Sequence, residues 1–212
     1  MKIPTNYIKQ RVGLRNRKVW RNKWDQRKLN NKSFSLFSHN CLGGVMYHDL
    51  GVEFQSPVIN MRFTPHDFIR MITNLDRYMH ETIVFIEADK KYPVGVLGDI
   101  AIEFVHYKTQ EEVIEKWENR KKRIHKDNMF FMCNDEGLTY DEMKLYDSLP
   151  YKNKILFSSV PRDEIKCSVY CPDFPEYTNV ELIQFSNWFG KRYYQEYFDY
   201  VKWFNGDADY KL

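Results

Sequence analysis

Short apolar stretches separated by capped helical segments constrain this chain to alternating strands and helices. Strands are predicted at 33–38, 82–86, 100–106, 128–133 and 154–159. A further extended piece at 92–97 carries Pro93, which confines it to an edge or a strand start. Helices are predicted at 42–50, from Pro65 to about His80, from a Thr109 cap to about His125, at 140–149 and, rich in aromatics, at 180–204. Thr64-Pro65-His66-Asp67 is a helix start, with a capping hydroxyl, a proline in the first position and an acid at the positive end. Thr109 with Glu112 forms a capping box, and Asn205-Gly206 ends the last helix. The expectation is an α/β layered domain with a largely parallel (mixed) central sheet flanked by helices. Residues 82–97 would give it an antiparallel edge.

Charge divides the chain. Residues 1–32 hold eleven Lys or Arg against one acid, Asp25, a balance of +10; with +3 overall, the remainder carries −7. A basic helical arm, 1–32, is therefore expected ahead of a single acidic domain, 33–212. Ile8, Val12, Trp20 and Trp24 give the arm a loose apolar stripe suited to an anionic bilayer surface. Docking of the arm on its own acidic domain fits the same charges. Nucleic acid is disfavoured as a partner, because the acidic remainder repels phosphate and no nucleic-acid motif is present. No apolar run approaches a membrane span, which points to a cytoplasmic protein, peripheral at the inner leaflet if the arm binds lipid. The four cysteines are scattered, and Cys167-x-x-x-Cys171 lacks the second pair that a zinc site needs. No metal and no cofactor is expected.

Chemistry is expected where a strand runs through Ser38-His39-Asn40-Cys41-Leu42-Gly43-Gly44 into a helix. A cysteine there meets backbone N–H groups and the positive end of the helix dipole, which favour a thiolate, and the glycines permit close approach. In parallel sheets ligands bind outside the carboxyl ends of the strands. Cys41, His106 and Asn134-Asp135 all fall at such ends. Cys41 as nucleophile, His106 as base and Asn134 or Asp135 as orienting group would make an acyl-transfer site. The amides after Cys41 would stabilise an oxyanion. His39 and His48 are rival bases. Arg120 shares the buried stripe of its helix with Trp117 and needs a carboxylate, carbonyl or phosphate partner, either structural or from a substrate anion. Asp99 follows Gly98, where a turn acid is the simpler reading.

The string Phe37–Gly44, then Tyr47-His48-Asp49-Leu50-Gly51 and Ser56-Pro57-Val58-Ile59-Asn60, resembles the opening of a bacterial family of unknown function, domain of unknown function nineteen-nineteen. Tyr92-Pro93-Val94-Gly95, Asp99-Ile100, His106-Tyr107 and Lys116–Arg123 continue the resemblance over about 30–205. The family pattern has Asn where this chain has His39. The resemblance implies an α/β fold and a role in exopolysaccharide or capsule biosynthesis. The substrate would be a glycan or an acyl donor, and Asn40, Gly43, Gly44, Asn60, Asp99 and Arg120 are the candidates for holding it. Two other roles suit the same chain: a non-catalytic accessory of the assembly machinery on the membrane, and a sugar transferase without covalent catalysis.

Overall fold

The computed structural model describes residues 5–172 and 182–212. A basic arm comes first: helix α1 (Thr5–Asn16), a π-helical turn (Arg17–Arg21) and helix α2 (Asn22–Lys28). Strand β1 (Ser35–Ser38) leads into α3 (Leu42–Leu50), followed by α4 (Pro65–Thr73) and α5 (Leu75–His80). Strands β2 (Ile83–Ile86), β3 (Val94–Leu97) and β4 (Ile100–Glu103) come next, then α6 (Gln110–Lys121) and β5 (Met129–Asn134). The chain continues through α7 (Tyr140–Ser148), β6 (Asn153–Ser158), β7 (Ser168–Tyr170), a 3-10 turn (Tyr193–Glu196) and α8 (Tyr200–Asn205). Among the described residues no helix is long and apolar enough to cross a membrane.

The expected α/β architecture is present, with a four-stranded parallel sheet in the order β1-β5-β6-β7. Strands β1, β5 and β6 are covered on both faces, hence their continuous apolar runs. Successive side chains point to opposite sides. Phe37, Phe131, Cys133 and Leu156 join α4, α6, α7 and the hairpin strands in one core. Leu36, Phe130, Met132 and Ile155 join α3 and the C-terminal aromatics, among them Trp203 and Phe204, in the other.

Three elements differ from the sequence expectation. The antiparallel part is a separate three-stranded sheet, β2-β3-β4, and it takes β4 with it. The cause is Gly98: at φ 62 it makes, with Asp99, a two-residue loop that folds β4 back onto β3 in the register Leu97↔Ile100. The helix expected over 65–80 breaks at Asn74 (φ −127, ψ 44). The helix expected over 180–204 is not continuous in its described part. Its first two residues, 180 and 181, lie outside the described residues. Gly190 sits at φ 81, and Asn187 Oδ1 accepts from the N–H groups of Phe189 and Lys191 at 3.0 and 3.2 Å, closing a tight loop. A new helix then starts at Asp199, whose carboxylate accepts from Val201 and Lys202.

Candidate active site

β1 and β5 are adjacent and parallel, so Cys41, just past β1, and Asn134, at the end of β5, share one sheet edge. Cys41 is the N-cap residue of α3, and Asn40 does the capping: its Oδ1 accepts from the Leu42 N–H at 2.9 Å. That bond turns the Asn40 amide NH₂ toward His39 Nε2, 3.0 Å away. His39 is therefore a buried, neutral ring whose Nε2 accepts, and burial pushes it down to about 3. It is not available to Cys41 as a base. His48 is solvent-exposed on α3, and His66 pairs with Glu142.

His106 is available. Its Nε2 lies 3.2 Å from Cys41 Sγ, although the two residues are 65 apart in sequence. It arrives from the turn after β4, not from the parallel sheet, and the strip 59–63 holds that turn in place. Phe63 N–H donates to the His39 carbonyl at 2.8 Å, tying the strip to the cysteine turn. Arg62 and Glu103 exchange backbone hydrogen bonds at 2.8 and 2.9 Å, tying it to the end of β4. Tyr107, next to His106, donates its hydroxyl to the Ile59 carbonyl at 2.7 Å. Arg120 completes the brace: it is buried and donates to the Tyr107 hydroxyl at 2.7 Å and the Ile59 carbonyl at 3.2 Å. Its partners are thus a phenol and a carbonyl within the fold, with the guanidinium over the Phe54 ring.

The other candidates divide by location. Asn60, at φ 65, faces the first turn of α3: a Cβ added at Gly44 would lie 2.7 Å from its Oδ1. A Cβ at Gly43 would lie 2.8 Å from the Ser38 side chain, so these glycines permit protein packing at the turn. Leu42 N–H is engaged by Asn40, which leaves the Gly43 and Gly44 amides as the first-turn donors to consider for an oxyanion. Asn134 and Asp135 make no hydrogen bond to His106; Asp135 accepts from Ser158 Oγ at 2.6 Å and faces Arg162 at 3.9 Å. Among the described residues His106 has Cys41 as its one hydrogen-bond partner, so the arrangement is a dyad. Asp99 lies at the opposite end of β4 from His106 and accepts from Tyr78 at 2.6 Å, with Arg77 and Arg70 beside it.

Burial pushes the Cys41 thiol up from its ordinary value, and the positive charge of Arg62 acts against this. At rest the Cys41 side chain is therefore a neutral thiol, and ionising it needs a base. Cys41 is partly exposed, while Cys133, Cys167 and Cys171 are buried. A cleft of about 510 Å³ runs beside the cysteine turn, lined by His39, Asn40, Arg62, Tyr92, Glu103 and Glu136 among others. Sequence reading missed Arg62 and Tyr107. The alternation of buried Met61, exposed Arg62 and buried Phe63 was a signal that Arg62 stands on an extended strip with its side chain outward.

The chain is 41% identical over 204 residues to an uncharacterized protein of Haemophilus influenzae, an overlap that spans 95% of this chain and 98% of that protein. Residues 13–205, which include the cysteine turn, His106 and the brace, match the family described as Domain of unknown function (DUF1919). The chain therefore belongs to the DUF1919 family.

Proposed function

We propose that the chain is a thiol-dependent acyl-transfer enzyme, an acyltransferase or hydrolase, that works in exopolysaccharide or capsule synthesis. The observation that carries the chemistry is the 3.2 Å approach of His106 Nε2 to Cys41 Sγ. The polysaccharide setting rests on the family resemblance of the ordered motifs. Because burial keeps the thiol neutral, His106 takes its proton as sulfur attacks the carbonyl carbon of an acyl donor. The tetrahedral oxyanion collapses to a thioester, and His106 returns the proton to the leaving group. A glycan hydroxyl or water, deprotonated by His106, then attacks the thioester, and the proton goes back to sulfur.

p-Nitrophenyl acetate tests this, with mass spectrometry to locate the acetyl group. The expected result is one acetyl on Cys41, absent in Cys41→Ala and formed at least about 100-fold more slowly in His106→Gln. Equal acetylation rates in wild type and His106→Gln would overturn the reading.

One observation favours a second reading, a membrane-peripheral accessory. Val19, Trp20 and Trp24 are 59%, 40% and 51% exposed among the basic residues of the arm, a composition that suits an anionic lipid surface. Replacing Trp20 and Trp24 together by Ser is expected to abolish sedimentation with phosphatidylglycerol vesicles. Unchanged sedimentation rejects this reading.

A further inference from the structure

Arg62 is held in place more firmly than it is used. Its backbone is fixed on both sides by Glu103, and the next residue bonds to the His39 carbonyl, so its Cα is anchored between the cysteine turn and the His106 turn. Its side chain is exposed at the cleft and has no hydrogen-bond or ion-pair partner among the described residues. The other charges around the cleft are engaged. Lys90 lies 3.9 Å from Glu103, Tyr92 donates to Glu103 at 3.4 Å, and His66 pairs with Glu142. His39 adds no positive charge, since Asn40 and burial keep it neutral. Arg62 is thus a free guanidinium, the side chain best suited to a carboxylate or phosphate, beside a partly exposed nucleophile.

We infer that Arg62 recognises a fixed negative charge on the molecule presented to Cys41, so that the electrophile is an anionic one, bearing a carboxylate or phosphate close to the reacting carbon. This rests on the reading of Cys41 as a nucleophile and narrows its substrate class. Its field on the thiol is consistent with that placement: Arg62 is the charge that acts on Cys41 against burial.

Alkylation of Cys41 isolates the effect. Iodoacetate and iodoacetamide react with the same thiolate and lose the same iodide, forming the same C–S bond; they differ in a carboxylate. Their rate ratio therefore cancels the acidity of the thiol. Comparing it between wild type and Arg62→Gln, which both keep His106 beside the sulfur, separates Arg62 from any attraction by a protonated His106. In low salt the ratio for wild type, divided by that for 2-mercaptoethanol, is expected to be about tenfold, as for a charge pair at a partly exposed site. Arg62→Gln is expected to bring it to about one and Arg62→Lys to an intermediate value. Wild type alone, with no variant needed, is expected to lose the preference as salt rises. A wild-type ratio equal to that of 2-mercaptoethanol, or a ratio unchanged in Arg62→Gln, would overturn the inference. Failure of the acyl-transfer reading shows elsewhere, in acetylation indifferent to His106, so the two failures are distinguishable.

Discussion

Asn40 commits its carbonyl oxygen to the Leu42 N–H, and this decides which histidine can serve Cys41. With the amide NH₂ directed at Nε2, His39 is locked as an acceptor in a buried site, while His106 reaches the sulfur. The buried ring has a consequence for stability. Between pH 6.5 and about 3 the unfolded chain takes up a proton at His39 that the folded chain refuses. Stability is therefore full above the ordinary histidine value and falls as the pH drops. From pH 7 to pH 5 the expected loss from this group is about 2 kcal/mol. Urea denaturation at the two values checks this, with His39→Asn expected to lack that part of the slope. An identical slope in the variant would mean that the acid sensitivity lies elsewhere. At this scale the sequence pointed to Cys41 and His106, because strand ends are where function gathers, and the two side chains do meet. It did not reveal the base's hydrogen-bond company. Arg62 stayed hidden because the apolar-basic-apolar run Met61-Arg62-Phe63 marks an outward side chain but says nothing of the partners it lacks.

The strands of the parallel sheet were legible because burial on both faces leaves continuous apolar runs, and α3 was legible down to its ends. β7 escaped notice, since a three-residue strand carries too little pattern. The larger differences come from punctuation. Gly98-Asp99 reads equally as a surface turn or as the loop of a hairpin, and only the hairpin sends β4 out of the parallel sheet. The expected crossover between strands 100–106 and 128–133 thus joins two sheets. His106 still arrives at Cys41, because the strip 59–63 brings the end of β4 to the cysteine edge. In the C-terminal region aromatic spacing imitated a helix, whereas Asn187 and Gly190 already encoded a loop. Aromatics buried by the loop and α8 satisfy the same hydrophobic count without helical continuity.

The whole molecule is tied together by a buried arginine of the arm. Arg17 lies 2.8 Å from Asp49 and 3.4 Å from Asp25, and donates to Gln195, Tyr200 and the Gly190 carbonyl. Arm, α3 and C-terminal region meet at this one guanidinium. Charge balance between a basic arm and an acidic remainder was visible in the sequence; which of eleven cations would be buried was not. Arg17→Met is expected to cost about 3–5 kcal/mol, because it strips a buried cation from Asp25 and Asp49. Chemical denaturation measures this, and a cost under about 1 kcal/mol would show that Arg21 and Arg192, which also touch these acids, suffice.

The 65-residue separation of sulfur and imidazole also sets an order of events during synthesis. The amino-terminal part leaves the ribosome first, so the thiol is made and exposed well before its base. The brace from Arg120 follows later still, once α6 has been translated. A nascent chain carrying Cys41 therefore has no proton acceptor poised beside it. The pairing of sulfur with imidazole is therefore complete only when the second sheet and α6 have closed over the strip 59–63.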